Sequence, residues 1–174
     1  MTLTEVRSLI RAVPDFPKPG IVFRDITPLL AHPAGFSATI DELAEQARGA
    51  RADGILAIES RGFIFGGALA NRLGLPLQLV RKKGKLPRES MSIRYELEYG
   101  YDHLEVHTDA IEPGGRYLIV DDLIATGGTA SATARLVRQQ QGIVARCLFV
   151  AELSALNGRE ALSDLPVVSL LKFR

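Results

Sequence analysis

Two adjacent aspartates and a glycine-rich turn form the part of the sequence best suited to chemistry. The apolar run 117–120 is followed by Asp121 and Asp122, and then by a turn rich in threonine and glycine. A buried strand would deliver both carboxylates to its carboxyl end, where each can accept hydrogen bonds from a sugar hydroxyl. The turn would open a helix, and the first backbone N–H groups of a helix bind anions. Ribose acceptors beside a phosphate cradle predict a site for a 5-phosphoribosyl group, formed by Asp121, Asp122, Ala125, Thr126, Gly127, Gly128 and Thr129.

A plainer interpretation of this stretch is a capped turn whose aspartates are only solvated. Thr126 and Thr129 are expected to cap the helix as well as to offer hydroxyl donors. Paired aspartates at a strand end beside Thr-Gly-Gly-Thr favour the ribose site. Neither a Walker A loop nor a dinucleotide-binding glycine motif occurs in the chain.

Two further polar groups suit an anion beside this site. Glu59, Ser60 and Arg61 follow the apolar run 54–58 and precede a helical pattern, so backbone N–H groups and a guanidinium can hold an anion there. A second group is the basic run Arg81, Lys82, Lys83, Lys85 and Arg88. The alternatives are an ordinary turn with a surface arginine and a solvated basic face.

The elements that position these groups alternate between short apolar strands and amphipathic helices. Helices are predicted at 3–12, 35–48, 63–73 and 129–141, and strands at 54–58, 77–80, 117–120, 144–150 and 167–171. This alternation predicts an α/β fold with a doubly wound, mostly parallel sheet flanked by helices. In such sheets ligands bind beyond the carboxyl ends of the strands, so the loops after Ile58, Val80 and Val120 are expected to share one site.

The segment 81–107 departs from this alternation. After the basic run it shows period-2 patterns at 91–95 and 104–106, which predict an antiparallel hairpin inserted between two βα units. His103 and His107 would share one face of this hairpin with Glu105. We interpret that face as solvated rather than as a metal site.

Size and composition limit the classes of function. The 174 residues predict one domain, 1–174. A net charge of +1 gives no overall positive field for nucleic acid or an anionic membrane, and no apolar run approaches the roughly 20 residues of a membrane span. The single cysteine, Cys147, is expected to be packed and reduced. Without a signal-peptide pattern, the expected location is the cytoplasm.

Residues 119–129 resemble the phosphoribosyl pyrophosphate motif of the type I phosphoribosyltransferases. Five further segments are similar to the adenine-using members of that family, namely 16–28, 59–63, 81–87, 97–100 and 169–173. The likeness runs from about Val13 to the end of the chain. Glu59 stands where some members carry aspartate, a difference of little consequence if the backbone of this turn binds the ligand.

The resemblance implies purine salvage, in which the 5-phosphoribosyl group of phosphoribosyl pyrophosphate passes to adenine, giving AMP and pyrophosphate. It implies pyrophosphate contacts from Glu59, Ser60, Arg61, Arg81, Lys82 and Lys85, and base contacts from Val22, Phe23 and Arg24. Phe23 is otherwise a plain core residue. It also implies that the hairpin at about 81–107 is a mobile lid carrying Glu98 and Tyr99. Glu98 would lie near the five-membered ring of the base and, with Arg61, act on the reacting atoms; the alternative is a polar hairpin tip.

The expected partners are small-molecule substrates, with no nucleic acid and no membrane. Mg²⁺ is expected to be carried mainly by substrate oxygens and water, without direct side-chain ligands, because it retains its waters. The resemblance implies that part of loop 81–88 reaches the site of a second copy in a homodimer. One rival is a regulator that only senses phosphoribosyl pyrophosphate, although a DNA-binding module would be expected in such a protein. The other is a transferase for another base, such as guanine or xanthine.

Overall fold

Residues 1–96 and 100–174 are described by a computed structural model, and they divide into two units, residues 1–42 and 43–174. Glu98 and Tyr99 of the predicted lid lie outside the described residues. A single domain over 1–174 stays a prediction. Across the two described ranges, no helix combines the length and the apolar character needed to cross a bilayer.

The first unit begins with a short helix and a two-stranded antiparallel sheet. Helix α1 (Leu3–Ser8) starts with a capping box, in which the Thr2 hydroxyl accepts from the Glu5 N–H and the Glu5 carboxylate accepts from the Thr2 N–H. Strands β1 (Arg11–Pro14) and β2 (Val22–Asp25) then pair. The predicted helix over 3–12 is therefore wrong beyond Ser8, because the backbone of β1 is committed to the ladder with β2. Helix α2 (Thr27–Leu30) and the first part of α3 (Pro33–Ala47) follow.

The described residues of the second unit form a seven-stranded sheet. Its strands along the chain are β3 (Gly54–Ile58), β4 (Leu77–Lys82), β5 (Ser90–Glu96), β6 (Tyr101–His107), β7 (Arg116–Ile124), β8 (Ile143–Leu153) and β9 (Val167–Phe173). In space they follow the order β5-β6-β4-β3-β7-β8-β9. The strands from β4 to β9 in that order are parallel, whereas β5 and β6 form an antiparallel hairpin that joins the sheet edge through β6 and β4. The predicted α/β fold with an inserted antiparallel hairpin is confirmed.

The helices explain why the central strands are apolar along their whole length. Helix α4 (Gly62–Leu73) packs against β3 and β7, and helix α5 (Gly128–Gln139) packs against β5, β7 and β8. All five residues of β3 are buried, as are residues 117–120 of β7. Strands covered by helices carry continuous apolar runs, and these runs are why the sequence predicted the two strands.

The parallel register places the predicted site groups at one edge of the sheet. Because β4, β3 and β7 are neighbours and run in the same direction, their carboxyl ends lie side by side. Strand β7 continues to Ile124, beyond its predicted end at Val120, because β8 extends beside it as far as the pair Ile124 and Glu152. Asp121 and Asp122 therefore belong to the last residues of a strand rather than to the turn that follows.

Candidate active site

A cavity of about 400 Å³ lies at the carboxyl ends of β3, β4 and β7. Its walls come from the turn after β3, from the end of β7 with the start of α5, and from the hairpin. The lining residues are Glu59, Ser60, Arg61, Lys82, Tyr95, Leu104, Asp121, Asp122, Leu123 and Thr129. A smaller cavity of about 90 Å³ adjoins it and is lined by the predicted cradle, residues 125–129, among others. The two predicted binding turns thus face one space.

An ion pair joins these two turns. Asp122 is only 4% exposed, and its Oδ2 lies 2.9 Å from Nε of Arg61, the residue that precedes helix α4. A buried carboxylate needs such a partner, since removing its charge from water is costly. The contact is an ion pair without hydrogen-bond alignment, because no donor among the described residues satisfies Oδ2. Asp122 thus lines the cavity with a carboxylate held by its ion pair to Arg61.

Asp121 lies beside this pair in a tighter setting. Its Oδ1 accepts from the Asp122 N–H at 2.8 Å. The first residue of α4 is Gly62, and a Cβ there would meet this same oxygen at 2.8 Å. Although Asp121 keeps some exposed surface, protein surrounds its carboxyl, and this burial, together with the charge of Asp122, raises its pKa well above the ordinary range. Arg61 acts in the opposite direction but does not outweigh these causes.

Both helices that begin at the cavity lack side-chain caps. Gly127 is the N-cap of α5, and its φ of 80° lies in the left-handed region that glycine adopts without strain. No side chain among the described residues caps α5 or α4, although α1 is capped at both Thr2 and Glu5. The predicted capping by Thr126 and Thr129 is therefore wrong, because the residue at the cap position is glycine. The backbone N–H groups of these first turns remain directed to an anion.

The turn after β3 is stabilised by its own carboxylate. The Glu59–Ser60 peptide bond is cis. Glu59 Oε2 accepts from the backbone N–H of Lys82 at 2.9 Å and from Nε of Arg81 at 3.3 Å. Burial acts to raise the pKa of Glu59, but these two hydrogen bonds outweigh it and lower the pKa. Glu59 is thus an ionised residue that ties the turn to the end of β4.

Three of the five cations in the basic run are paired within the chain. Arg81 contacts Glu59, Lys82 Nζ lies 2.5 Å from Asp102 Oδ2, and Arg88 Nη1 lies 2.7 Å from Asp109 Oδ2. Within the run, Lys82 alone lines the 400 Å³ cavity, while Lys83 and Lys85 are exposed. The sheet brings acidic residues of the hairpin and of neighbouring turns beside the run, so these three cations have partners within their own chain.

The hairpin supplies site residues that the sequence analysis missed. Tyr95 is 7% exposed and lines the cavity, and its ring lies close to Gly128 at the start of α5. Asp102, which holds Lys82, lies opposite Tyr95 across the hairpin. The alternation Ile93, Tyr95 signalled an inward face for this strand, but not what that face would contact.

The predicted solvated face with His103 and His107 is wrong for Glu105. Glu105 is 8% exposed, and its Oε2 accepts from the Gly84 N–H at 3.0 Å, because the loop after β4 folds over it. Among the residues described, no cluster of three or more histidine, cysteine or acidic side chains could hold a metal ion.

The remaining predicted residues belong to the first unit or fall outside the described residues. Val22, Phe23 and Arg24 belong to β2 of the first unit, where Val22 is exposed and the Phe23 ring meets the Phe16 ring edge-on at 5.2 Å. Glu98 and Tyr99 fall outside the described residues. The base contacts and the lid contacts therefore stay predictions.

A family comparison covers both turns of the cavity. Residues 26–168 match the phosphoribosyl transferase domain. This span holds the whole parallel sheet from β3 to β8, the hairpin, and both helix starts at the cavity.

Individual relatives extend the match to nearly the whole chain. An adenine phosphoribosyltransferase of Francisella philomiragia is 54% identical over 175 residues, which cover 99% of this chain and 100% of that protein. The crystal structure of adenine phosphoribosyltransferase from Thermoanaerobacter pseudethanolicus has a TM-score of 0.97 at 51% identity, with 99% and 100% of the two chains covered. The Saccharomyces cerevisiae enzyme, solved with an imino-altritol bisphosphate and adenine, has a TM-score of 0.92 at 42% identity, covering 97% and 98%. The chain therefore belongs to the phosphoribosyltransferase family and, within it, to the adenine phosphoribosyltransferases.

The raised pKa of Asp121 predicts how stability depends on pH. Between the ordinary value of 3.8 and the raised value, the folded state keeps a proton that the unfolded state has released. The stability that this proton supplies is complete below the ordinary pKa and is lost as the pH rises through the raised pKa. Because asparagine mimics the protonated form, Asp121→Asn is expected to raise the free energy of urea-induced unfolding at neutral pH but not at acidic pH.

Asp109→Asn is the control of opposite sign. A hydrogen bond from Arg88 lowers the pKa of Asp109, so its stabilising effect is present at neutral pH and lost on acidification. This variant is expected to lose stability at neutral pH, by a small amount because the pair is exposed. Equal pH profiles for wild type and Asp121→Asn would contradict a raised pKa at Asp121.

Proposed function

We propose that this chain transfers the 5-phosphoribosyl group of phosphoribosyl pyrophosphate to adenine, forming AMP and pyrophosphate for purine salvage. The observation that carries the proposal is the meeting of Asp121, Asp122 and the uncapped start of α5 with the Glu59–Arg61 turn around one cavity. The same cavity can take a ribose with a phosphate at one end and a diphosphate at the other. The relatives with matching chains are adenine phosphoribosyltransferases, which supports adenine as the base.

In this proposal the end of β7 holds the ribose. The Asp122 carboxylate lines the cavity and accepts a hydrogen bond from a ribose hydroxyl, and Asp121 offers a second carboxyl beside it. The 5-phosphate lies on the N–H groups of residues 127–129, at the positive end of α5. Holding the sugar at both ends fixes its anomeric carbon, and such fixation removes much of the entropic barrier to reaction.

The reaction breaks the bond between the anomeric carbon and the pyrophosphate oxygen while the base nitrogen forms a new bond to that carbon. Negative charge then gathers on the leaving pyrophosphate. Arg61 and Lys82 line the cavity on that side and stabilise this charge, and the N–H groups of the Ser60–Gly62 turn add backbone donors. Arg81 and Lys85 are assigned to the same end, Arg81 through its hydrogen bond to Glu59.

The acidic residues of the cavity fit a magnesium ion carried mainly by substrate. Glu59 is already engaged by Arg81 and Lys82, which leaves the adjacent Asp121 and Asp122 as the carboxylates near the ribose. Mg²⁺ usually takes one or two carboxylates with substrate phosphate oxygens and retained waters. When bound, the ion neutralises charge on the diphosphate and so improves it as a leaving group. Asp121 and Asp122 would hold its waters.

Val22, Phe23 and Arg24 are assigned to the base, Glu98 to the proton that leaves the attacking ring, and Tyr99 to the lid over it. The support for these roles is the resemblance at 16–28 and 97–100. A carboxylate near the ring can stabilise the positive charge that develops as the nitrogen attacks, or accept its proton. A closed lid excludes water, which would otherwise hydrolyse the activated sugar.

A homodimer and a cytoplasmic location complete the proposal. The resemblance supports the dimer, with exposed Lys83 and Lys85 as the cations of the loop that can reach a second copy. Sedimentation equilibrium is expected to give twice the mass of one chain, and a monomer mass at assay concentration would contradict the dimer.

The reduced state expected of the buried Cys147 supports the cytoplasm.

A base panel tests the activity. Pyrophosphate release is measured with phosphoribosyl pyrophosphate, Mg²⁺ and each of adenine, hypoxanthine, guanine, xanthine and orotate. We expect kcat/KM for adenine to exceed the others by at least about a hundredfold, because a site built on hydrogen bonds rejects mismatched donors and acceptors. A chelator is expected to abolish release, and added Mg²⁺ to restore it. Preference for another base would contradict adenine, and binding of phosphoribosyl pyrophosphate without turnover of any base would indicate a sensor.

Glu98→Gln tests the chemical role of the lid carboxylate. Glutamine keeps the size and hydrogen bonding but removes the charge, so the chemical step is expected to slow by about a hundredfold. Rapid-mixing single turnovers report that step directly, whereas lid opening or product release can limit steady-state rates. The matched control is Glu96→Gln, an exposed glutamate two residues away that is expected to react as wild type does. Slowing of less than about threefold in Glu98→Gln would leave Glu98 without a role in acid–base catalysis.

A further inference from the structure

The phosphate turn of the cavity, residues 125–128, rests directly on the backbone of a later segment. A Cβ on Gly127 would overlap the carbonyl oxygen of Gly158 and lie 3.0 Å from the Ala161 Cβ. A Cβ on Gly158 would in turn overlap the carbonyl oxygen of Ala125. The two backbones are therefore in van der Waals contact, so a shift of Gly158 toward the turn must displace it and a shift away removes its support.

A partly buried ion pair between Arg159 and Glu152 fixes the position of Gly158. The side chain of the next residue, Arg159, contacts the end of the sheet. Its Nε lies 3.0 and 2.9 Å from the two carboxylate oxygens of Glu152. Its Nη1 donates to the carbonyl oxygen of Val167 at 2.9 Å, and its Nη2 donates to the Ser169 hydroxyl at 3.4 Å. Glu152 is 6% exposed and lies near the end of β8, while Val167 and Ser169 belong to β9. One side chain thus ties the short 3-10 turn Gly158–Leu162 to two strands.

Glu152 and Arg159 neutralise each other's charge. Burial acts to raise the pKa of Glu152, but hydrogen bonds from Arg159 and Ser169 outweigh it and lower the pKa. Neither residue lines the 400 Å³ cavity or the adjoining 90 Å³ cavity. Their effect on a ligand must therefore pass through Gly158 to the turn, where the ligand contacts are backbone N–H groups that side-chain motion cannot correct.

We infer that Glu152 and Arg159 are positioning residues that hold the 125–128 turn in the geometry that binds the 5-phosphate of phosphoribosyl ligands. The inference rests on the proposed function of that turn. Backbone donors bind a phosphate well only at a fixed separation, and a displacement of about 1 Å at a positioned group can cost a hundredfold. No described side chain caps the helix that begins in this turn, and the backbone at Gly158 packs directly behind it.

The test separates the two ends of the ligand by isothermal titration with AMP, ribose 5-phosphate and pyrophosphate. Glu152→Gln and the matched double variant Glu152→Gln/Arg159→Gln both weaken the contacts between Arg159 and Glu152 that hold Gly158 in place. The double variant does so without leaving either charge unpaired. We expect AMP and ribose 5-phosphate to bind at least about tenfold more weakly, with pyrophosphate affinity within about twofold of wild type. Arg159→Lys keeps the charge but loses the planar set of guanidinium donors. We expect AMP to bind this variant more weakly than wild type but more tightly than the double variant.

Asp164→Asn is the matched control. It removes the exposed ion pair with Arg138, at 2.5 Å, in the same part of the fold, and is expected to leave all three affinities unchanged. Unchanged AMP binding in both Glu152→Gln and Glu152→Gln/Arg159→Gln would overturn the inference. So would equal weakening of AMP and pyrophosphate together with a lower thermal midpoint, since that pattern indicates general loosening. If wild type binds neither AMP nor ribose 5-phosphate, the proposed function itself fails.

Discussion

The burial of two adjacent carboxylates at the end of β7 is the constraint on which the rest of the site depends. Asp122 is almost fully enclosed, and Asp121 beside it has a raised pKa because of burial and of its neighbour's charge. Such a pair is unfavourable unless a cation lies close, and Arg61 provides it at 2.9 Å. The start of α4 must therefore approach β7, and Gly62 permits that approach because a side chain there would meet Asp121. Residues that would bind opposite ends of the ligand are thus held together before any ligand arrives.

This arrangement trades stability for binding capacity. Among the described residues, the Asp122 oxygen without a hydrogen bond and the helix starts without side-chain caps are unfavourable in the free protein. Their unfavourable energy is offset by the apolar strands beneath, where β3 and residues 117–120 of β7 are buried between packed elements. A rigid sheet holds the polar groups at its edge in place, including the buried Asp122 oxygen that has no hydrogen bond among the described residues.

The sequence predicted the parts of the molecule that depend on local patterns. The apolar runs at 54–58 and 117–120, the hairpin at 81–107 and the turn at 125–129 each carry their own signal, and the structure contains all four. What failed depends on distant partners. Residues 11–12 read as helix until β2 is present to pair with them. Glu105 reads as solvated until the Gly84 loop covers it. The ion pair between Glu152 and Arg159 joins the end of a strand to a 3-10 turn, a contact that no pattern within a single element predicts.

The assignment of the ribose hydroxyls to Asp121 and Asp122 is the claim that a thermodynamic cycle tests most directly. AMP and 2′,3′-dideoxy-AMP are titrated into wild type and into Asp121→Asn/Asp122→Asn. If the two carboxyl groups accept from the hydroxyls, loss of the hydroxyls is expected to weaken binding to wild type by at least about tenfold, because a hydrogen bond to a charged group such as the Asp122 carboxylate is worth about 1.5–3 kcal/mol. In the double variant, AMP and 2′,3′-dideoxy-AMP are expected to bind with nearly equal affinity. An equal penalty in both proteins would contradict the account, since the hydroxyls would then be recognised elsewhere.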